Sequence, residues 1–215
     1  MSSPRDKTKR FSASNPREQQ LRLRIAEEAA RILAHDNAQN FRAAKQKAAD
    51  RLGIHDMRSL PSNEEVESAL LTYQRLFGGD KQAQVLRELR KAAVAAMAFF
   101  QNFSPRLVGA VLSGTATEHA EVHLHLFTDL AEEVEWHLME HKIPFEPIDR
   151  RLVTKGDVYT SLPGVHFLAD NVPIEVVIFP LSCVREAPRS TPAGEPIKRA
   201  SLQTVQALLA DDDRI

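Results

Sequence analysis

The hydrophobic pattern of this chain changes period at Pro105, and that change constrains the fold more than any other feature. Before Pro105, apolar residues recur at three- and four-residue spacing, as in helices with one buried face. After it, Val122, Leu124 and Leu126 alternate with His123, His125 and Phe127, a period of two that a strand satisfies. The expectation is an α+β protein. A helical amino-terminal region of about four helices, residues 17–103, leads into a mixed β-sheet domain with flanking helices, residues 104–215. Because Ala92 to Phe100 runs straight into the first strand, the fourth helix is expected to pack on the sheet.

Local signals define the helices. Ile25, Ala29, Ile32 and Leu33 make one face of the first, and Phe41, Ala44, Ala48 and Leu52 make one face of the second. Gly53 is placed to end the second helix through a left-handed cap. Ser62 followed three residues later by Glu65 is a capping box for the third, whose apolar stripe is Val66, Ala69, Leu70, Tyr73, Leu76 and Phe77 before Gly78-Gly79. Asp80 is placed to cap the fourth, with Val85, Leu86, Leu89, Ala92, Ala93, Ala96 and Met97 inward.

Beyond Pro105, Leu107 to Leu112 has strand length and is broken by Ser113-Gly114-Thr115. Asp129 to His141 reads as a helix burying Leu130, Val134, Leu138 and Trp136. Val165–Ala169 and Ile174–Phe179 read as strands joined through Asp170-Asn171, residue types that tolerate hairpin turns. Pro180, Pro188, Pro192 and Pro196 hold the next stretch extended, and a last helix can begin at Ser201 with Leu202, Val205, Leu208 and Leu209 inward.

Charge and cysteine usage bound the setting. The formal net charge is −1, so no global bias announces a polyanionic partner. The first 24 residues nevertheless carry seven Arg or Lys, and residues 1–16 are too polar to fold alone; they read as a disordered basic tail, with a nucleic-acid-contacting arm over residues 1–24 as the other reading. The single Cys183 has no internal disulfide partner, and no apolar run approaches the ~20 residues needed to span a bilayer. A soluble, cytoplasmic protein without membrane contact is the expectation.

Leu112-Ser113-Gly114-Thr115, followed by Glu121-Val122-His123-Leu124 and later by Glu175 in Pro173-Ile174-Glu175-Val176-Val177, resembles the signature of the nucleotidyltransferase superfamily. That signature is a strand ending in Gly-Gly or Gly-Ser, a strand with two alternating carboxylates, and a third carboxylate from a later strand. The resemblance covers Arg106 to Phe179. It implies a nucleotidyltransferase-like sheet domain in which Ser113, Gly114 and Thr115 approach a nucleotide's phosphates through backbone amides. It also implies catalytic residues Glu121, His123 and Glu175 holding a divalent metal, with His125 as a further candidate ligand. The motif is degenerate. Glu121 stands for the first aspartate, and His123 stands where a second carboxylate belongs. Imidazole suits Zn²⁺, Fe²⁺ or Ni²⁺ better than Mg²⁺, so the metal is either Mg²⁺ or a transition metal.

Bacterial proteins that this chain resembles over most of its length in part carry the label UDP-N-acetylmuramate–alanine ligase. That enzyme's phosphate loop ending in Gly-Lys-Ser/Thr is absent here. Two function classes follow from the resemblance. One is a nucleotidyltransferase-like protein binding nucleotide or phosphate with a divalent metal, an enzyme if its catalysis survives. The other is a non-catalytic nucleotide-sensing or protein- or nucleic-acid-interaction module.

Each candidate also has a plain structural reading. Glu121, His123 and His125 can form a solvated strand face, and Gly114 can be a turn needing positive φ. Arg150-Arg151, Arg185, Arg189, Lys198 and Arg199 read as charged loop residues flanking the strands, with phosphate binding as the other option. His137 and His141 lie one helical turn apart, with no partner carboxylate evident in the sequence.

Overall fold

The computed structural model describes residues 16–35, 41–54, 60–154, 158–189 and 194–212. The basic stretch 1–15 lies outside them. The chain divides into two units between Leu76 and Phe77. The junction expected near residue 103 thus lies earlier, because the fourth helix shares a core with the sheet.

The first unit holds α1 (Pro16–His35), α2 (Phe41–Arg51) and nearly all of α3 (Asn63–Phe77). Ile25, Ala29, Ile32, Ala44, Ala48 and Val66 form its buried cluster. Gly53, at φ +68°, ends α2 as expected, and the amide of Ile54 donates to the Ala49 carbonyl at 2.9 Å. The capping box is formed: Glu65 N donates to Ser62 Oγ at 3.1 Å, and Ser62 N donates to Glu65 Oε2 at 2.6 Å. The stripe of α3 is shorter than its sequence suggests. Val66 and Leu70 are buried, whereas Leu76 and Phe77 stay exposed. Within the expected basic arm, Arg22 lies on α1 and pairs with Glu65 at 2.7 Å.

The second unit is built on a five-stranded mixed sheet in the order β1-β2-β5-β4-β3. The strands are β1 (Arg106–Val108), β2 (Val122–Phe127), β3 (Phe145–Val153), β4 (Tyr159–Ala169) and β5 (Val172–Phe179). The β2–β5 pair is parallel, and β1–β2, β4–β5 and β3–β4 are antiparallel. Asp170 and Asn171 both take positive φ, 49° and 66°, and close the β4–β5 hairpin. With α4 (Gly79–Phe99), α5 (Gly109–Ser113), α6 (Glu132–Glu140) and α7 (Leu202–Asp212), the architecture is α+β with an amino-terminal helical region.

One sheet face is covered by helices. Val122, Leu124, Leu126, Val165, Phe167, Ile174, Val176 and Ile178 pack with Leu89, Ala93, Met97, Phe100, Val134, Leu138 and Val205. Buried Arg90 on α4 makes two 2.8 Å bonds to the Asp212 carboxylate on α7, so its charge is paired rather than stranded. On the other side Cys183 and Val184 pack against Phe127, Leu162, Val177 and Phe179, and both edges of the sheet are touched by backbone from this part of the chain: Leu107 exchanges backbone bonds of 2.9 Å with Ala200, and Val153 exchanges bonds of 2.8 and 2.9 Å with Arg189.

Several expectations are corrected here. The apolar run Leu107–Leu112 leaves the sheet after Val108, because Gly109 at φ +73° turns the chain into α5. Asp80 does not cap α4, which opens at Gly79 without a side-chain cap. Trp136 and Leu130 are exposed. Trp136 lies two residues from Val134 and Leu138, hence on the opposite side of α6, and Leu130 precedes the helix. Arg150 and Arg151 belong to β3, not to a loop.

Candidate functional site

The face of the sheet away from α4, α6 and α7 gathers the polar residues. Strand alternation sends His123, His125 and Phe127 of β2 to this face, and the parallel register sets His123 beside Glu175. The antiparallel register of β4 sets His166 on the other flank of Glu175. Glu121, just before β2, has the same parity as His123 and therefore shares its face.

Glu121, His123 and Glu175 each offer a ligand atom, and these atoms all lie within 4.8 Å of one another. His123 Nδ1 stands 3.5 Å from Glu175 Oε1, and His166 Nε2 stands 3.9 Å from Glu121 Oε1. Arg150, reaching across from β3, donates through Nε to Glu175 Oε1 at 2.9 Å and through Nη2 to Oε2. Glu175 is only 6% exposed. Burial pushes its carboxyl upward, but the bonds and charges of Arg150 and His123 outweigh burial and hold it at about 2. The same clasp raises Arg150 further above its ordinary range.

His125 belongs to a different environment. Its ring lies against Phe179, with centroids 4.6 Å apart, and its Nδ1 accepts from Arg199 Nε at 3.0 Å. Burial above all, then the charges of Arg199 and His123, pushes it down to about 3, so it stays a neutral acceptor. With Nδ1 engaged and the ring 3% exposed, His125 does not join the three converging residues. Arg199, whose guanidinium lies 4.9 Å over both Phe127 and Phe179, is itself lowered to about 10, chiefly by burial.

Ser113, Gly114 and Thr115 form the carboxyl-terminal turn of α5. Gly114 takes φ +86°, and the amides of Gly114 and Thr115 both donate to the Ala110 carbonyl, at 2.9 and 3.0 Å. Ser113 Oγ lies 2.9 Å from Thr115 Oγ1. Amides bonded back into a helix end are not offered to phosphate, and the last turn of a helix presents carbonyls, which repel anions. The phosphate-cradling role expected of these three residues is at odds with that bonding. The glycine that does approach the cluster is Gly109, where an added Cβ would lie 3.4 Å from His123 Cδ2.

Reading the sequence alone misses Arg150 and His166 as members of the site. The pair Arg150-Arg151 draws attention as a phosphate binder, but its partnership with Glu175 depends on the β3–β4 register, which no local signal announces. His166 was legible in principle, as the polar member of the alternation Val165-His166-Phe167. The sequence matches no protein-family model and no curated protein.

Proposed function

We propose that the chain is a nucleotidyltransferase-like protein that binds a nucleotide or phosphate together with a divalent metal held by Glu121, His123 and Glu175. The observation that supports this reading is the convergence of those three donors within 4.8 Å on the face the helices leave free. Two carboxylate oxygens and one imidazole nitrogen favour a transition-metal dication over Mg²⁺. Charge then argues for an anionic ligand. Two carboxylates balance a dication, and Arg150 leaves one positive charge over, which suits phosphate. In this reading Arg150, rather than the Gly114–Thr115 amides, supplies the phosphate contact.

A second reading has one observation behind it. Arg150 already occupies Glu175 in a forked bond, so a metal must compete for that carboxylate. A relative that has lost catalysis and kept the fold as a nucleotide-sensing or interaction module would tolerate such a clasp. Contact with nucleic acid through the basic residues 1–24 is compatible with either reading. The lone free Cys183 suits a cytoplasmic setting. Among the described residues no helix is long and apolar enough to cross a membrane.

Calorimetric titration of ATP and GTP in the presence of Mn²⁺ or Zn²⁺, comparing wild type with Glu121→Ala, tests the site. The wild type is expected to give metal-dependent heat that the variant loses. Identical heat from both proteins removes Glu121 from any such centre. Pyrophosphate release on incubation with nucleotide separates the transferase from the module.

A further inference from the structure

A second group of metal-type donors lies on the opposite side of the sheet, in the last turn of α6. His137, Glu140 and His141 stand at positions i, i+3 and i+4, so one stripe of the helix carries all three. The partner carboxylate that the spacing of the two histidines left open is Glu140. One ligand atom from each of the three lies within 4.8 Å of the other two. Val134 and Leu138, on the buried side of the same helix, fix its rotation against the core.

The two imidazoles are also oriented. His137 Nε2 lies 3.1 Å from the carbonyl of Phe99, the last residue of α4, and His141 Nδ1 lies 2.8 Å from the carbonyl of His137. A carbonyl oxygen only accepts, so each of these nitrogens carries a proton. In the neutral rings, His137 Nδ1 and His141 Nε2 are then the lone-pair nitrogens. Imidazoles that donate one N–H to a carbonyl and keep the other nitrogen for a metal are the usual outer support of metal-binding histidines. Packing restrains the rings as well. The His137 ring lies 4.4 Å from Phe99 and 5.7 Å from Phe103, and the His141 ring lies 4.9 Å from Phe99, centroid to centroid. The position at the end of α6 adds the negative pole of the helix dipole, which favours a cation.

We propose that His137, Glu140 and His141 bind a transition-metal dication of the Zn²⁺ class, with two nitrogens and one carboxylate oxygen as protein ligands and the remaining coordination positions open to water. This donor set selects Zn²⁺, Co²⁺ or Ni²⁺ over Mg²⁺ and Ca²⁺, which prefer all-oxygen shells. The site is separate from the Glu121 cluster, which lies on the other face of the sheet, and it does not depend on any nucleotide chemistry.

Titration of the full chain with Co²⁺, read by d–d absorption and calorimetry, tests it. The expected result in Glu121→Ala, whose other donor cluster is disabled, is one equivalent, weakened at least about tenfold when His141→Ala or Glu140→Gln is added to that background. His141 and Glu140 are exposed, so both variants keep the packing of α6, which circular dichroism checks. Failure of the Glu121→Ala protein to bind Co²⁺ or Zn²⁺ overturns the proposal. So does binding that is unchanged in stoichiometry and affinity when His141→Ala or Glu140→Gln is added to Glu121→Ala.

Discussion

Replacing Glu175 by Gln removes a charge that the fold has arranged two partners to hold. A free carboxyl titrates near 4.5, and that of Glu175 is held at about 2. At roughly 1.4 kcal/mol for each pH unit of that gap, the ionised form contributes about 3 kcal/mol to folding at neutral pH. The Arg150 side chain is half exposed, so solvent screens part of the pair and about 2 kcal/mol is the working figure. The folded value is depressed, so this stability is fully present above the free carboxyl value, near pH 4.5. It is lost as pH falls from there towards 2, with about half gone near pH 3. Urea unfolding of wild type and Glu175→Gln from pH 7 downward should therefore show a deficit of about 2 kcal/mol in the variant at pH 7 that shrinks steadily below pH 4.5. A carboxyl carbon titration by NMR reads the same quantity directly, with an expected midpoint near 2. A variant as stable as wild type at pH 7, or a deficit that does not shrink in acid, refutes the reasoning.

His125 opens a second, higher pH window. Its folded value of about 3 lies below the free imidazole value of 6.5, so the unfolded chain takes up the proton first and stability declines as pH falls from 6.5 towards 3. Relative to His125→Gln, which keeps an acceptor for Arg199, the wild type should lose about 2 kcal/mol between pH 6.5 and 4.5; parallel stability curves would count against this. At Gly164 an added Cβ would meet the Val176 carbonyl oxygen at 2.2 Å and Ile148 Cγ1 at 3.2 Å. Gly164→Ala is expected to part β4 from β5 and lower stability by about 2–3 kcal/mol, read as the denaturation midpoint; an unchanged midpoint would show that the strands yield freely.

What the sequence discloses is what neighbouring residues encode. The period of Val122 to Phe127, the Asp170-Asn171 turn, the Ser62–Glu65 box and the Gly53 cap each need only a few adjacent residues, and all four are formed. Strand β3 was hidden because Glu146, Asp149, Arg150 and Arg151 interrupt its apolar residues, and Pro147 argues against a central strand. As an edge strand it needs no clean alternation. Strand β1 was overextended because Leu107 to Leu112 is apolar throughout, whereas Gly109 turns the backbone. The shared face of Glu121 and His123 was legible from parity along one strand, whereas Glu175 entered through the family resemblance and is set beside His123 by the β2–β5 register. The clasp of Arg150 on Glu175 was not legible, since it depends on pairing between segments distant in sequence.

The backbone clips at Leu107–Ala200 and Val153–Arg189 bear on how these molecules behave in a crowded solution. A sheet edge with free amides and carbonyls is a template on which another chain can add a strand. Here one margin is a three-residue strand already paired to the Ala200 backbone. The other carries Pro147, four charged side chains and the Arg189 clip. Neither border offers an uninterrupted run for a neighbour to extend, so the Arg189 and Ala200 backbones help to guard the sheet against edge-to-edge strand addition.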